Sequence, residues 1–117
     1  MSLFAGILVG LVAALHVGFL VLEMFYWDQP LGRRIFHTTP EFSRASALLA
    51  ANQGLYNGFL AAGLVWGLVI DQVNVILFFL ICVWVAGLYG GFTVRRNTLY
   101  IQALPAAIAI LAVYLSG

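Results

Sequence analysis

Charged side chains are scarce in this sequence. They make up 8% of its 117 residues, as five arginines, four acidic residues and no lysine. A soluble domain carries about 25% charged residues, so this composition excludes a soluble globular protein and a disordered one. The net charge of +1 provides no basic surface for nucleic acid. The single cysteine, Cys82, excludes a disulfide scaffold and a cysteine-based metal site.

Apolar residues are abundant instead, at 64% of the sequence with a mean hydropathy of +1.07. They form four runs, at about residues 3–27, 45–70, 73–93 and 98–115. Each run is close to the roughly 20 residues that a helix needs to cross the hydrocarbon core, where backbone groups must be paired within helices. We therefore predict an all-α protein, a four-helix transmembrane bundle with up-down-up-down topology, as a single integral-membrane domain over residues 1–117. The first run starts without charge and is too long for a signal peptide, so we expect it to be retained.

The arginines all lie on one side of this predicted bundle. The connection 28–44 holds three of them and the connection after the third run holds two, whereas the short link Asp71-Gln72 on the other side holds none. By the positive-inside rule the arginine side is cytoplasmic, which makes 28–44 a cytoplasmic loop and both termini extracytoplasmic. Within this loop, Leu31–Phe36 mixes apolar residues with arginine and is expected in the membrane interface. Thr38–Glu41 resembles a capping box, from which the second helix would start outside the membrane.

Small residues recur at four-residue spacing, as close contact between helices in lipid requires. The stripes are Gly6 with Gly10, Ala14 with Gly18, Gly54 with Gly58 and Ala62, Gly87 with Gly91, and Ala86 with Gly90. They predict a compact bundle and would equally serve a homo-oligomer.

Polar side chains within the apolar runs define the candidate site. Glu23 lies about 6 Å inside Trp27 along the first helix and His16 about 16 Å inside it, at 1.5 Å per residue. Because an ionisable group within a span is costly, Glu23 suggests a function. The predicted ligand-binding residues are His16, Glu23, Asn52, Gln53, Tyr56, Asn57, Tyr89, Thr93 and Gln102, with Arg95 and Arg96 at the rim. We expect them to line a polar cavity that opens toward the cytoplasm.

Each of these groups also has a structural interpretation. Glu23 could pair with Arg95 or be capped by Asn52, and a lone buried histidine is more often a satisfied bundle residue than a ligand. The amides of the second helix could be interhelical hydrogen bonds, although three amides and a tyrosine within residues 52–57 favour a pocket wall. A metal site is not expected, since only one histidine and one carboxylate lie within the spans. No cofactor is predicted, and haem on His16 is the remaining option.

Four short runs carry a family resemblance. They are Leu22-Glu23-Met24-Phe25, the run from Asn52 to Gly63, Ala86-Gly87-Leu88-Tyr89-Gly90, and Gln102-Ala103-Leu104-Pro105-Ala106. Together they resemble a family of small bacterial membrane proteins, domain-of-unknown-function family 1304, over essentially the whole chain. The resemblance implies a four-helix protein of the bacterial cytoplasmic (inner) membrane and supplies no activity. Polar positions chosen from depth fall within these runs, which favours a shared site.

Three functions remain open on this reasoning, each with the lipid bilayer as a partner. The first is a pocket that binds, or binds and transforms, a small apolar or amphipathic molecule, with Glu23 or His16 as acid or base if there is chemistry. The second is a proton-coupled small-molecule transporter, similar in layout to the small multidrug-resistance exporters but with a stronger charge bias and a shallower glutamate. The third is an accessory or assembly subunit of a membrane complex, which would use the glycine stripes. We rank them in that order, and enzymatic activity is left open.

Overall fold

The chain is built from helices. The computed structural model describes residues 1–116, and the regular secondary structure of these residues is entirely helical, which confirms the predicted all-α class. The helices are α1 (Leu3–Phe25), α2 (Pro30–Phe36), α3 (Pro40–Ala45), α4 (Ala47–Val69), α5 (Val73–Thr93) and α6 (Leu104–Ser116), with a π-helical segment at Leu99–Ala103.

Within residues 1–116, three helices are long and apolar enough to cross a membrane. They are α1 with 23 residues, α5 with 21, and the π-helical segment together with α6, Leu99–Ser116, with 18. By length and composition they indicate a membrane protein. Helix α4 is also 23 residues long, but it is not among the three because the amides Asn52, Gln53 and Asn57 lower its hydropathy.

The segment predicted as the loop 28–44 contains the two short helices α2 and α3. Proline opens each of them, where its missing N–H is not needed. Thr39 caps α3 by accepting a hydrogen bond from the backbone N–H of Phe42 at 3.2 Å. The predicted capping box therefore starts a helix, but that helix ends at Ala45, and Ser46 separates it from α4.

The chain divides into two compact units. One comprises Met1–Ala14 and the chain from Leu60 onward, and the other comprises Leu15–Phe59. The hydrophobic core lies in the first unit, where its fully buried members are Ala5, Val9, Leu64, Ile76, Leu80, Val83, Ala106 and Ala109. Small residues let the helices of this unit approach closely: a Cβ on Gly67 would lie 2.7 Å from Cγ1 of Ile76.

A short turn at Asp71 and Gln72 joins α4 to α5. Asp71 adopts the left-handed conformation with φ 54°, which aspartate tolerates better than most residues. The N–H of Gln72 donates to the carbonyl of Gly67 at 3.0 Å, so a carbonyl at the end of α4 is satisfied within the turn.

The π-helical segment packs against the C-terminal half of α5. The N–H of Leu104 donates to the carbonyl of Leu99, five residues back. Pro105 has no N–H to donate to the carbonyl four residues back, and its ring would clash with that carbonyl in a regular α-helix. The π-helical turn therefore lies where proline already interrupts the α-helical hydrogen bonds. A Cβ on Gly87 would lie 2.6 Å from the backbone nitrogen of Ala103, and one on Gly91 would overlap Leu99. The two glycines therefore allow α5 to contact the backbone of the π-helical segment.

Candidate functional site

Helices α1 and α4 run antiparallel and in close contact within the unit Leu15–Phe59. A Cβ on Gly54 would lie 2.8 Å from Cγ of Met24 and 3.1 Å from Cβ of Glu23, and one on Gly58 would lie 2.5 Å from Cδ1 of Leu20. Higher numbers on α4 thus meet lower numbers on α1. The two glycines bring the helices near enough for short polar side chains to reach across.

Asn57 meets Glu23 at this contact. The side-chain amide Nδ2 of Asn57 donates a hydrogen bond to Oε1 of Glu23, with the two atoms 2.5 Å apart. Asn57 is buried, with 5% of its surface exposed, whereas Glu23 is half-buried. The amide that caps Glu23 is therefore Asn57, whereas Asn52, the amide named for this role in the sequence, is exposed. One carboxylate oxygen is bound by Asn57, and Glu23 as a residue is half-buried.

His16 is fully buried in the same unit. Its ring contacts Phe19 in an edge-to-face arrangement, with the ring centroids 5.2 Å apart. A contact of this geometry is typical of a packed aromatic pair. Because His16 is fully buried, its structural interpretation as a packed bundle residue fits better than a role in binding a ligand.

Three other predicted residues of α4 lie on its exposed surface. Asn52, Gln53 and Tyr56 are exposed, and the Tyr56 ring packs edge-to-face on Phe59 at 5.8 Å. The polar arc predicted over residues 52–57 therefore divides into a buried Asn57 and an exposed remainder. This part of α4 lies level with the last turn of α1, since Gly54 packs on Met24 and Glu23 there.

The remaining predicted residues belong to the other unit. Tyr89 is exposed, and its carbonyl accepts a hydrogen bond from the Thr93 hydroxyl at 2.6 Å. The end of α5 borders an open cavity of about 210 Å³, lined by Gly91, Phe92, Thr93, Val94, Arg95 and Arg96. Gln102 is half-buried in the π-helical segment.

A second polar cluster, not predicted from the sequence, lies between α1 and α3. Oδ1 of Asp28 accepts hydrogen bonds from Nη1 of Arg33 at 2.9 Å and from the hydroxyl of Ser43 at 2.7 Å. The indole Nε1 of Trp27 donates to the Ser46 hydroxyl at 3.0 Å. The signal available in the sequence was an aspartate directly after an apolar run, followed five residues later by an arginine.

The polar groups described above are donors and acceptors of hydrogen bonds. Within residues 1–116, no three histidine, cysteine, aspartate or glutamate side chains group closely enough to hold a metal ion. The pair of Glu23 and Asn57 offers carboxylate and amide oxygens, which can accept hydrogen bonds from a bound molecule.

Sequence comparisons place the chain among related proteins. An uncharacterised protein, YpaA from Lactococcus lactis subsp. lactis (strain IL1403), is 27% identical over 111 residues, which are 91% of this chain and 93% of the relative. No solved structure matches the chain. The family of proteins of unknown function DUF1304 matches residues 10–114, a stretch that contains both Glu23 and Asn57. The chain therefore belongs to the DUF1304 family.

Proposed function

We propose that this protein binds a small apolar or amphipathic molecule within the membrane, through a polar site centred on Glu23 and Asn57. In this proposal the chain crosses the cytoplasmic membrane of a bacterium four times, with both termini outside and the arginine-rich connections in the cytoplasm. The relative from a bacterium and the position of the arginines on one side of the predicted bundle support this topology.

The fourth span in this topology is α4. Its 23 residues are long enough to cross the hydrocarbon core. An amide exposed to lipid would be costly, but Asn57 is buried and bonded to Glu23. Asn52 and Gln53 lie nearer the start of α4, at the end where headgroups and water can solvate them. The polar residues that lower the hydropathy of α4 are therefore compatible with a span.

The hydrogen bond between Asn57 and Glu23 is the observation that carries the proposal. Burying a carboxyl group in a membrane helix costs free energy, and such groups are usually paired with another residue or take part in function. Asn57 supplies one partner, yet a carboxyl group can accept several hydrogen bonds, and the half-buried Glu23 keeps part of this capacity. We infer that the polar end of the ligand bonds to Glu23, while the apolar body lies along the helices from the cytoplasmic side. If the bound molecule is transformed, Glu23 is the candidate acid or base.

Native mass spectrometry of the protein released from a mild detergent tests this proposal. Wild type, Glu23→Gln and Glu41→Gln would be compared side by side. Glu41 is an exposed acid in α3, so its variant makes the same chemical change away from the site. We expect a discrete small-molecule adduct on wild type and Glu41→Gln that Glu23→Gln loses while its helical content persists. An adduct retained by Glu23→Gln, or a bare protein in all three samples, would count against the site and favour transport or assembly.

A further inference from the structure

The segment 26–46, which connects α1 to α4 and contains α2 and α3, is held in one arrangement by several contacts. Asp28 binds both Arg33 and the fully buried Ser43. Trp27 donates to Ser46, so the start and end of the segment are joined. These hydrogen bonds make the segment a fixed surface rather than a flexible loop.

Close packing adds to these hydrogen bonds. Gly32 is buried directly against the backbone of Tyr26, where a Cβ would overlap the carbonyl. The ring of Phe36 packs on Trp27 with centroids 4.9 Å apart. Helix α2 therefore packs against the end of α1 through the face that carries Gly32 and Phe36. The opposite face of α2 is left exposed.

The arginines of this segment are not equivalent. Arg33 is half-buried and its charge is balanced by Asp28 at 2.9 Å. Arg34 and Arg44 are exposed. Within residues 1–116, the salt bridge is formed by Arg33 and Asp28 and does not include them. Glu41 is the one acidic residue of the segment that is exposed. The accessible surface of segment 26–46 therefore carries a net positive charge.

Large apolar side chains are exposed beside these two arginines. Leu31 and Ile35, one turn apart on the same face of α2, are 40% and 43% exposed, and Phe42 on α3 is 56% exposed. Apolar side chains interleaved with arginine are typical of a helix that lies in the membrane interface. The segment follows the last residue of an apolar span, and Tyr26 and Trp27 at that point are the aromatic residues typical of the headgroup level.

We propose that segment 26–46 is a binding surface for anionic phospholipids of the bilayer that the protein spans. Arg34 and Arg44 contact the headgroup phosphates, while Leu31, Ile35 and Phe42 insert among the upper acyl chains. Arg33 does not take part, because its charge is already balanced within the segment. This surface is independent of the site at Glu23 and does not require that site to bind a ligand.

Lipid competition in nanodiscs tests this proposal. The full-length protein would be placed in discs of equal phosphatidylcholine and phosphatidylglycerol, and the lipids retained after release would be quantified by mass spectrometry. We expect wild type to enrich phosphatidylglycerol. In the double variant Arg34→Gln with Arg44→Gln, the enrichment should fall by a factor of about five for each arginine removed. The enrichment should also fall as salt is raised, because exposed charges are screened.

Two control variants make the result specific. The double variant Arg34→Lys with Arg44→Lys keeps the charges and should keep most of the enrichment, and Glu41→Gln should keep or increase it. Thermal unfolding of each variant in detergent reports whether the fold survives, which is expected because all three side chains are exposed. Equal enrichment in wild type and the glutamine double variant would overturn the proposal, as would a wild type without preference, and the surface would then be a candidate for a protein partner.

Discussion

The indole Nε1 of Trp27 donates a hydrogen bond to the hydroxyl of Ser46 across 3.0 Å. Ser46 in turn donates to the carbonyl of Phe42 at 2.6 Å. Trp27 lies just after α1 and Ser46 just before α4, so this contact closes the whole connection between the two long helices. A tryptophan at the end of an apolar run predicts an interfacial aromatic, and here the same side chain also has a specific partner.

Replacing Trp27 by phenylalanine should lower the free energy of unfolding by about 1 kcal/mol, because the hydrogen bond is lost while an aromatic ring remains against Phe36. Trp27→Ala should cost more, since it removes the ring packing as well. Reversible unfolding in mixed mild detergent and dodecyl sulfate measures both. Equal losses in the two variants would mean that the ring contact contributes nothing.

Removing the amide of Asn57 should destabilise the contact between α1 and α4. Asn57→Ala leaves Oε1 of Glu23 without its donor, at an expected cost of about 1–2 kcal/mol. Asn52→Ala is the matched control, because Asn52 is exposed on the same helix, and its effect should stay within about 0.5 kcal/mol. The same unfolding assay compares them, and a larger loss from Asn52→Ala would show that the wrong amide was assigned to the interior.

The two glycines Gly87 and Gly10 should respond in opposite ways to alanine. At Gly87 the new Cβ would lie 2.6 Å from the backbone nitrogen of Ala103, so α5 and the π-helical segment must separate, at about 1–3 kcal/mol. At Gly10 no atom lies within 4 Å of the new Cβ, and alanine is favoured over glycine in a helix by about 1 kcal/mol. Melting temperatures in detergent should fall for Gly87→Ala and hold or rise for Gly10→Ala; a tolerated Gly87→Ala would contradict the close packing.

Asp28 and Asp71 should contribute to stability to different degrees. Asp28→Ala should cost about 1–2 kcal/mol, because the Ser43 hydroxyl loses the closer of its two acceptors and Arg33 loses its counter-charge. The cost is limited because Ser43 also donates to the carbonyl of Pro40 at 3.2 Å and because Arg33 is partly solvated. Asp71→Asn should leave stability unchanged, since asparagine also accepts the left-handed conformation found there. Chemical denaturation measures the free energy of unfolding of both variants. An Asp28→Ala variant as stable as wild type would contradict the conclusion that segment 26–46 is rigid.

The helices could be predicted from the sequence because an apolar run of about 20 residues in lipid has few structural choices. The break at Ser46 could not. Thr39 and Pro40 mark a helix start, and nothing in the following residues forbids one helix from there to Val69. At the interruption the Ser46 hydroxyl donates to the carbonyl of Phe42 and accepts from Trp27, a residue 19 positions away. The second of these contacts is not visible in the sequence.

The sequence singles out the polar residues of the candidate site, but it does not show which of them pair. Depth and polarity single out both Glu23 and the amides of α4. Which amide faces Glu23 depends on the rotation of α4, and this rotation is set by Gly54 and Gly58 packing on α1. Asn52 and Asn57 are five residues apart, which places them about 140° apart around the helix. Both lie on the predicted polar arc, and the arc alone does not show which of them faces α1.

The π-helical segment packs on α5 at both of its ends, and these two contacts restrict its length. On one side of its wide turn Leu99 fills the space beside Gly91, and on the other side the backbone of Ala103 lies against Gly87. Deleting one residue to restore a regular α-helix would rotate one of these sides by about 100° relative to the other. One of the two glycines would then face an empty groove. The number of residues from Leu99 to Ala103 is therefore determined by two contacts on either side of a single turn.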